Sequence, residues 1–373
     1  MKIAYLLNWE LNSQDGVSKK VLAQSESWIY AGHEVKVFCI LKDDINSFGT
    51  VPFCLVKKEP ASNIVREYQS VYSAYQTMFG HLLDYMPDVI YFRFDIYQPA
   101  LKPILKKFPT VVEVNTNDIE ELKLLAKKNI KGKIRFSYHL LVRNRFFKMM
   151  SGFCCVTNEI AALPSIRKFN KPVFVIPNAL NSGNYSCPTP QKAFKEALPR
   201  LVFMGSPKQA WHGLDKLMEL ARRTVGTLQF DIIGTDGAEY THKPGNVSFH
   251  GYLKKEQYQS VVCAGDIGIC TLALHRNNMQ EASPLKTREY LAYGLPIVLG
   301  YADTAFMGGE LPDWALQLPN RENNVLEKME DIIRFCYENK NRKLTKDQTI
   351  RYIDSSAFEG ARLENLKRIV SVR

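Results

Sequence analysis

Residues 281 to 298 run Glu281-Ala282-Ser283-Pro284-Leu285-Lys286-Thr287-Arg288-Glu289-Tyr290-Leu291-Ala292-Tyr293-Gly294-Leu295-Pro296-Ile297-Val298, and their local physics is consistent throughout. Ser283 is a good helix N-cap, and Pro284 fits the first helical position, where a missing N–H costs nothing. Gly294 fits the left-handed stop, and Pro296 prevents continuation before the buried strand Ile297-Val298-Leu299. The helix therefore starts with free backbone N–H groups pointing outward, an arrangement that suits a phosphate. Glu281 precedes the helix, while Glu289 lies about one and a half turns along it. A carboxylate at Glu289 is placed to accept two hydroxyl hydrogen bonds from a ribose. A sugar nucleotide, with its phosphates between two polyols, satisfies all three features. A capped core helix with two solvated glutamates fits the same pattern equally well.

Outward from this unit, apolar runs alternate with helical patterns. Strands are expected at Lys2–Leu7, Glu34–Ile40, Phe53–Val56, Val89–Arg93, Val111–Asn115, Phe153–Thr157 and Val173–Ile176. The rhythm breaks between Asn178 and Arg200, a stretch rich in Asn, Ser, Gly and Pro, and then restarts. The later runs are Leu201–Gly205, Phe230–Gly234, Val247–Gly251, Ile267–Leu272 and Ile297–Gly300. Alternation of this kind predicts parallel sheets covered on both faces. The expected architecture is α/β: two doubly wound domains facing across a cleft, residues 1–178 and 179–354. A C-terminal helix, 355–373, is expected to return to the first domain. In such sheets ligands bind beyond the carboxyl ends of the strands.

Length and composition agree: 373 residues suit two domains, with 46% hydrophobic and 23% charged residues. No run approaches the roughly 18 to 20 apolar residues of a spanning helix, and the N-terminus reads as a strand rather than a signal peptide. The eight cysteines form no C-x-x-C and several sit in strand-like runs, a pattern expected of buried thiols in a reducing cytoplasm. The seven histidines are scattered, so no metal site is expected. Net charge is +11, and no acidic residue lies between Leu122 and Asn158, where nine Lys and Arg fall from Lys123 to Lys148. Such a patch suits nucleic acid, a phosphorylated ligand or an anionic membrane. No nucleic-acid-binding motif accompanies it, which makes nucleic acid the weakest of the three.

Glu281 and Glu289 form an E-x7-E pattern, and its continuation resembles retaining glycosyltransferases of the GT-B fold, specifically glycosyltransferase family 4. Further fragments occur in the family's order: Asp15-Gly16-Val17-Ser18, Gly32-His33-Glu34-Val35, Val175-Ile176-Pro177-Asn178, Phe203-Met204-Gly205, Ile232-Ile233-Gly234 and Phe249-His250-Gly251. The resemblance implies that Glu281, the catalytic candidate, contacts donor-sugar hydroxyls and that Glu289 holds the ribose. Backbone groups of Ser283, Pro284 and Leu285 would approach the diphosphate, and Gly16 would let the backbone pass close to it. The family's usual Arg after the first strand of the second domain is Ser206 here, which leaves Lys208, His212 and Lys286 as the cationic candidates. Its first-domain His is replaced by the region Asn115, Asn117 and Asp118, the candidate sugar or acceptor contacts. His275 and Arg276 are read as a satisfied loop pair, and Arg93 either as a ligand contact or as a salt bridge.

The resemblance implies transfer with retention, in which the leaving phosphate accepts the acceptor's proton. No D-x-D motif is present, so no metal and no other cofactor is expected. The expected activity is transfer of a hexose-type sugar from a UDP- or GDP-sugar to a glycan or lipid-linked acceptor, in surface polysaccharide or glycoconjugate synthesis. The expected location is cytoplasmic, peripheral at the inner face of the membrane. The Lys123–Lys148 stretch interleaves its charges with Phe136, Tyr138, Phe146 and Phe147, which suits either an anionic lipid surface or a solvated helix pair with its aromatics inside. An epimerase or hydrolase on the same fold is the rival reading. A redox dinucleotide enzyme is disfavoured because no G-x-G-x-x-G follows Leu7.

Overall fold

The apolar runs of the first half form one parallel sheet in the computed structural model, which describes residues 1–11, 16–43, 49–187, 198–205 and 209–371. Its strands are β1 (Lys2–Asn8), β2 (Glu34–Leu41), β3 (Phe53–Lys57), β4 (Val89–Arg93), β5 (Thr110–Val114), β6 (Gly152–Cys155) and β7 (Val173–Val175). They lie in the order β3-β2-β1-β4-β5-β6-β7, so the winding reverses between β1 and β4. Ile3 to Leu7 are buried without alternation, as expected of a strand covered on both faces.

The chain divides into two units, Met1–Asn178 with Phe358–Arg373, and Ala179–Ala357. The C-terminal helix Glu359–Ser371 belongs to the first unit, where Leu363, Leu366 and Ile369 join a core that includes Ile3, Tyr5, Val37 and Tyr91. Its buried Arg362 donates to Glu359 (2.8 Å) and to the Tyr91 hydroxyl (2.6 Å), and Trp28 donates to Glu359 (2.6 Å). This segment is a working part of the first core.

The second unit contains β8 (Arg200–Met204), β9 (Gln229–Ile233), β10 (Val247–Phe249), β11 (Ile267–Ile269), β12 (Glu281–Ala282), β13 (Ile297–Leu299), β14 (Ala302–Asp303) and β15 (Ala315–Gln317). Six of them form a parallel sheet, β10-β9-β8-β11-β13-β15, which reverses between β8 and β11; β12 and β14 pair separately. Leu201, Phe203, Leu217, Phe230, Ile267 and Val298 are at the centre of its core.

Two expectations need correction. Cys187 and Cys263 form a disulfide, their Cα atoms 5.5 Å apart across 76 residues of sequence. The folding of the chain brings them together, and no local spacing announces it. Of the remaining cysteines, Cys39, Cys154, Cys155, Cys270 and Cys336 are buried thiols as expected. Ser283 does not cap the helix. The helix runs Leu285–Ala292 with Pro284 at the cap position, because the Ser283 hydroxyl instead accepts from Arg288 (2.9 Å). Gly294 does take the left-handed conformation (φ 75°), and a Cβ there would meet the Leu344 carbonyl at 2.8 Å. Among the described residues no helix is long and apolar enough to cross a membrane.

Candidate active site

β8 and β11 are neighbours at the reversal of the second sheet, the position where a parallel sheet opens a crevice for ligands. The helix Leu285–Ala292 follows β11 and is fastened to that place from several directions. The Tyr290 hydroxyl accepts from the Met204 N–H at the end of β8 (2.6 Å). Gly268 in β11 makes room for this ring, since a Cβ there would fall 2.4 Å from Tyr290 Cγ. Arg288, fully buried, donates to both carboxylate oxygens of Asp303 (2.7 Å each) and to Ser283. This pair locks the helix start to β14, and Thr287 meets the Tyr301 hydroxyl at 2.7 Å beside it. The ion pair is satisfied on both sides, as a buried charge must be.

Glu281 lies on β12, partly exposed, directly before this turn. Glu289 is buried and accepts a hydrogen bond from the Tyr258 hydroxyl (3.2 Å), which in turn accepts from Tyr293 (3.4 Å). Leu285 and Pro284 are partly exposed at the helix start. Lys286 is partly exposed with its ammonium over the Phe203 ring, 4.6 Å from the centroid, and it reaches the Met204 carbonyl at 3.4 Å. Desolvation there pulls its pKa down to about 8. His212 packs edge-on against Phe203, and its carbonyl accepts from Leu272 N–H (3.1 Å), which joins the segment after β8 to the end of β11. Lys208 lies outside the described residues.

Glu281, Ser283, Pro284, Leu285 and Lys286 thus lie at or just before one helix start, and Glu289 lies about a turn further along the same helix. Its first-turn N–H groups, a cation and two carboxylates form a set that suits a phosphate flanked by hydroxyls. Tyr258 and Lys216 were not singled out in the sequence. Lys216, buried, donates to the carbonyls of Leu272 (3.2 Å) and Arg321 (2.8 Å) and to Asn324 (3.1 Å), and so braces the segment after β11. His275 and Arg276 are satisfied: Arg276 forms a two-pronged pair with Asp215 (2.8 and 2.7 Å), and both reach Glu322.

The other candidates belong to the first unit. Gly16 opens the helix Gly16–Tyr30 that follows β1; Asp15 lies outside the described residues. Asn115, just past β5, accepts from the buried Lys20 (3.0 Å) and donates to Glu113 (3.1 Å). Burial alone would raise the Glu113 carboxyl, but Lys20, Arg362 and Arg93 together hold it well below the usual range. Lys20, 2.7 Å from Glu113, is itself pulled down to about 8 by burial. Arg93 pairs with Glu113 (3.5 Å) and stacks on Trp9, which makes it a salt-bridge residue of this unit. Asn117 N-caps the helix Asp118–Ala126. Asp118 is withdrawn as a ligand contact: it is buried, and its carboxylate is taken up by Arg143 (2.5 and 2.8 Å) and His139 (2.6 Å).

No protein-family model and no curated protein matches the sequence. Solved structures do match in shape. Sucrose-phosphate synthase from Thermosynechococcus elongatus aligns over all of both chains with a TM-score of 0.73 and 12% identity. Anabaena HepE, solved with UDP and glucose, covers 99% of this chain and 100% of its own, with a TM-score of 0.64 and 15% identity. The catalytic domain of Arabidopsis thaliana starch synthase IV, bound to ADP and acarbose, covers 99% of each chain, with a TM-score of 0.65 and 10% identity. With its two reversed parallel sheets, the chain has the GT-B fold of these enzymes, two Rossmann-like domains in tandem.

Proposed function

We propose that the protein is a retaining, nucleotide-sugar-dependent glycosyltransferase of the family 4 type, moving a hexose-type sugar from a UDP- or GDP-sugar to a glycan or lipid-linked acceptor. The observation that supports this reading is a helix at the sheet reversal that has Glu281 just before it and the buried Glu289 about a turn along it. Glu289, aligned by Tyr258, accepts the ribose hydroxyls, and Glu281 takes hydroxyls of the sugar. UDP and ADP in the solved neighbours support a nucleoside diphosphate between them.

Departure of the diphosphate concentrates negative charge on its outer phosphate. The N–H groups at Leu285 and Lys286 and the Lys286 ammonium are fixed in advance where that charge grows, so little reorganisation is needed. The same phosphate takes the acceptor's proton on the face where the new bond forms, which preserves the anomeric configuration without a side-chain base. The acceptor belongs to the first unit in this reading, near Asn115 and Asn117, at the inner face of the membrane.

Cationic and backbone neutralisation of the diphosphate leads to a metal-independent reaction. Release of nucleoside diphosphate from UDP- or GDP-sugars, with the product anomer followed by NMR, is expected to proceed unchanged in EDTA. Activity that vanishes in EDTA and returns with magnesium or manganese contradicts this view of the site. Turnover that ignores every acceptor and yields only epimerised or free sugar points to the epimerase or hydrolase reading instead.

A further inference from the structure

The helix Ile130–Met149 in the first unit carries most of the acid-free basic stretch, and its two faces are unlike. Gly132, His139, Arg143, Phe146 and Phe147 face inward and are buried. Phe146 and Phe147 therefore belong to the core, and Tyr138 is half-buried with its hydroxyl on the Tyr97 carbonyl (3.0 Å). These aromatics do not form a surface. The outward face carries other apolar side chains: Ile130 is 77% exposed, Leu141 78%, Ile134 49% and Leu140 47%.

At about 100° per residue, Ile130, Ile134 and Leu141 fall within an arc of roughly 40°, a stripe that runs about 16 Å along the axis. Lys133 flanks the stripe on one side and Arg145 on the other, and Lys148 continues it toward the C-terminal end. Charge on the rest of the helix is already met. Arg143 is paired with Asp118, and Lys131 and Arg135 with Glu67 (2.7 and 2.9 Å). Lys133, Arg145 and Lys148 are exposed and form no ion pair among the described residues. Scattered exposed apolar residues need no explanation. Three of them within one arc, beside the exposed Ser137 and Asn144 and bordered by unneutralised cations and by no carboxylate of the helix, form a patch of mixed character; Leu140 lies beyond Lys133, about 80° round from Ile130.

We infer that this face binds the surface of an anionic lipid bilayer, lying parallel to it with Ile130, Ile134 and Leu141 in the acyl boundary and Lys133, Arg145 and Lys148 among the phosphates. The chemistry is that of an interfacial helix: an apolar stripe gives depth, and flanking cations give attraction to anionic headgroups. A soluble acidic partner would use the cations but leave the aliphatic stripe unexplained. The inference names the surface on which the lipid-linked acceptor of the proposed reaction is met, yet it stands on this face alone.

The test is co-sedimentation of the full chain with vesicles of phosphatidylcholine alone and of phosphatidylcholine mixed with phosphatidylglycerol. Calorimetric nucleotide binding on the same samples keeps this question separate from the donor site. Wild-type protein is expected to sediment with the mixed vesicles at low salt and to be released at about 1 M salt, where the Debye length falls to about 3 Å. I134Q/L141Q and K133E/R145E are each expected to lower partitioning at least about tenfold. All four positions are solvent-facing, so folding and nucleotide binding should be retained. Wild-type protein that ignores the mixed vesicles overturns the inference. So does an I134Q/L141Q variant that binds them as well as wild type, because the stripe is then not the anchor. Loss of a dimer in I134Q/L141Q, seen by sedimentation velocity with no vesicle binding in wild type, would assign the face to a second copy of the chain.

Discussion

Glu289→Ala is expected to weaken binding of the free nucleoside diphosphate by about 1.5–3 kcal/mol, or roughly 10- to 150-fold in Kd. The carboxylate is buried, and Tyr258 fixes its direction, so in the proposed reading a pair of ribose hydroxyls would meet an acceptor whose orientation is already set. Its removal leaves those hydroxyls without a charged partner in a place with little water. Tyr258→Phe should weaken binding by less, since it loosens the carboxylate without deleting it. Glu281→Ala should behave differently, sparing the free nucleotide and lowering turnover of the complete sugar donor, because Glu281 lies on β12, ahead of the helix. Calorimetry with the nucleotide and steady-state kinetics with the donor separate the two. Equal losses for both ligands in both variants would mean that the glutamates act only through folding.

The second large effect concerns the support beneath the site. Asp303→Ala strips the buried Arg288 of its two-pronged partner and leaves a charge in the core, at a cost of about 3–5 kcal/mol. At about 2–4 °C per kcal/mol for a unit of this size, its melting transition should fall by roughly 6–20 °C. Replacing both partners by apolar residues, as in R288M/D303L, should recover much of that loss, because no unpaired charge then remains. Nucleotide affinity should still suffer in the double variant, since Ser283 loses its tie to Arg288 and the turn before the helix loosens. A single variant that melts like wild type would show that the pair does not hold the helix start.

The two parallel sheets were legible because strands buried on both faces appear as unbroken apolar runs. β1 and β8 are expected within a residue or two of where they lie. β12, β14 and β15 were not anticipated: two or three residues carry no periodicity, and pairing with distant chain creates them. The candidate site was visible as far as it is local. Glu281 to Glu289 and Gly294 fall in one run, but the groups that orient them come from elsewhere. Tyr258 lies 31 residues before Glu289, Asp303 lies 15 after Arg288, and Met204 lies 86 before Tyr290. Asp118 looked like a polar group near a strand end until folding brought Arg143 and His139 onto it. The helix Ile130–Met149 carries cations and apolar residues on every side, so its pattern could not say which aromatics point inward. Burial separates Phe146 and Phe147 from Ile134 and Leu141.

In the proposed function the helix start at the reversal of the second sheet holds a nucleoside diphosphate. Isothermal titration of the wild-type chain with UDP, GDP, ADP and NAD in EDTA tests it most directly. One of the nucleoside diphosphates is expected to bind, with Lys286 retaking its proton, so that affinity is full below pH 8 and declines above it as the ammonium of the free protein deprotonates. NAD should not bind. Saturable binding of NAD with no response to any nucleoside diphosphate would contradict the account.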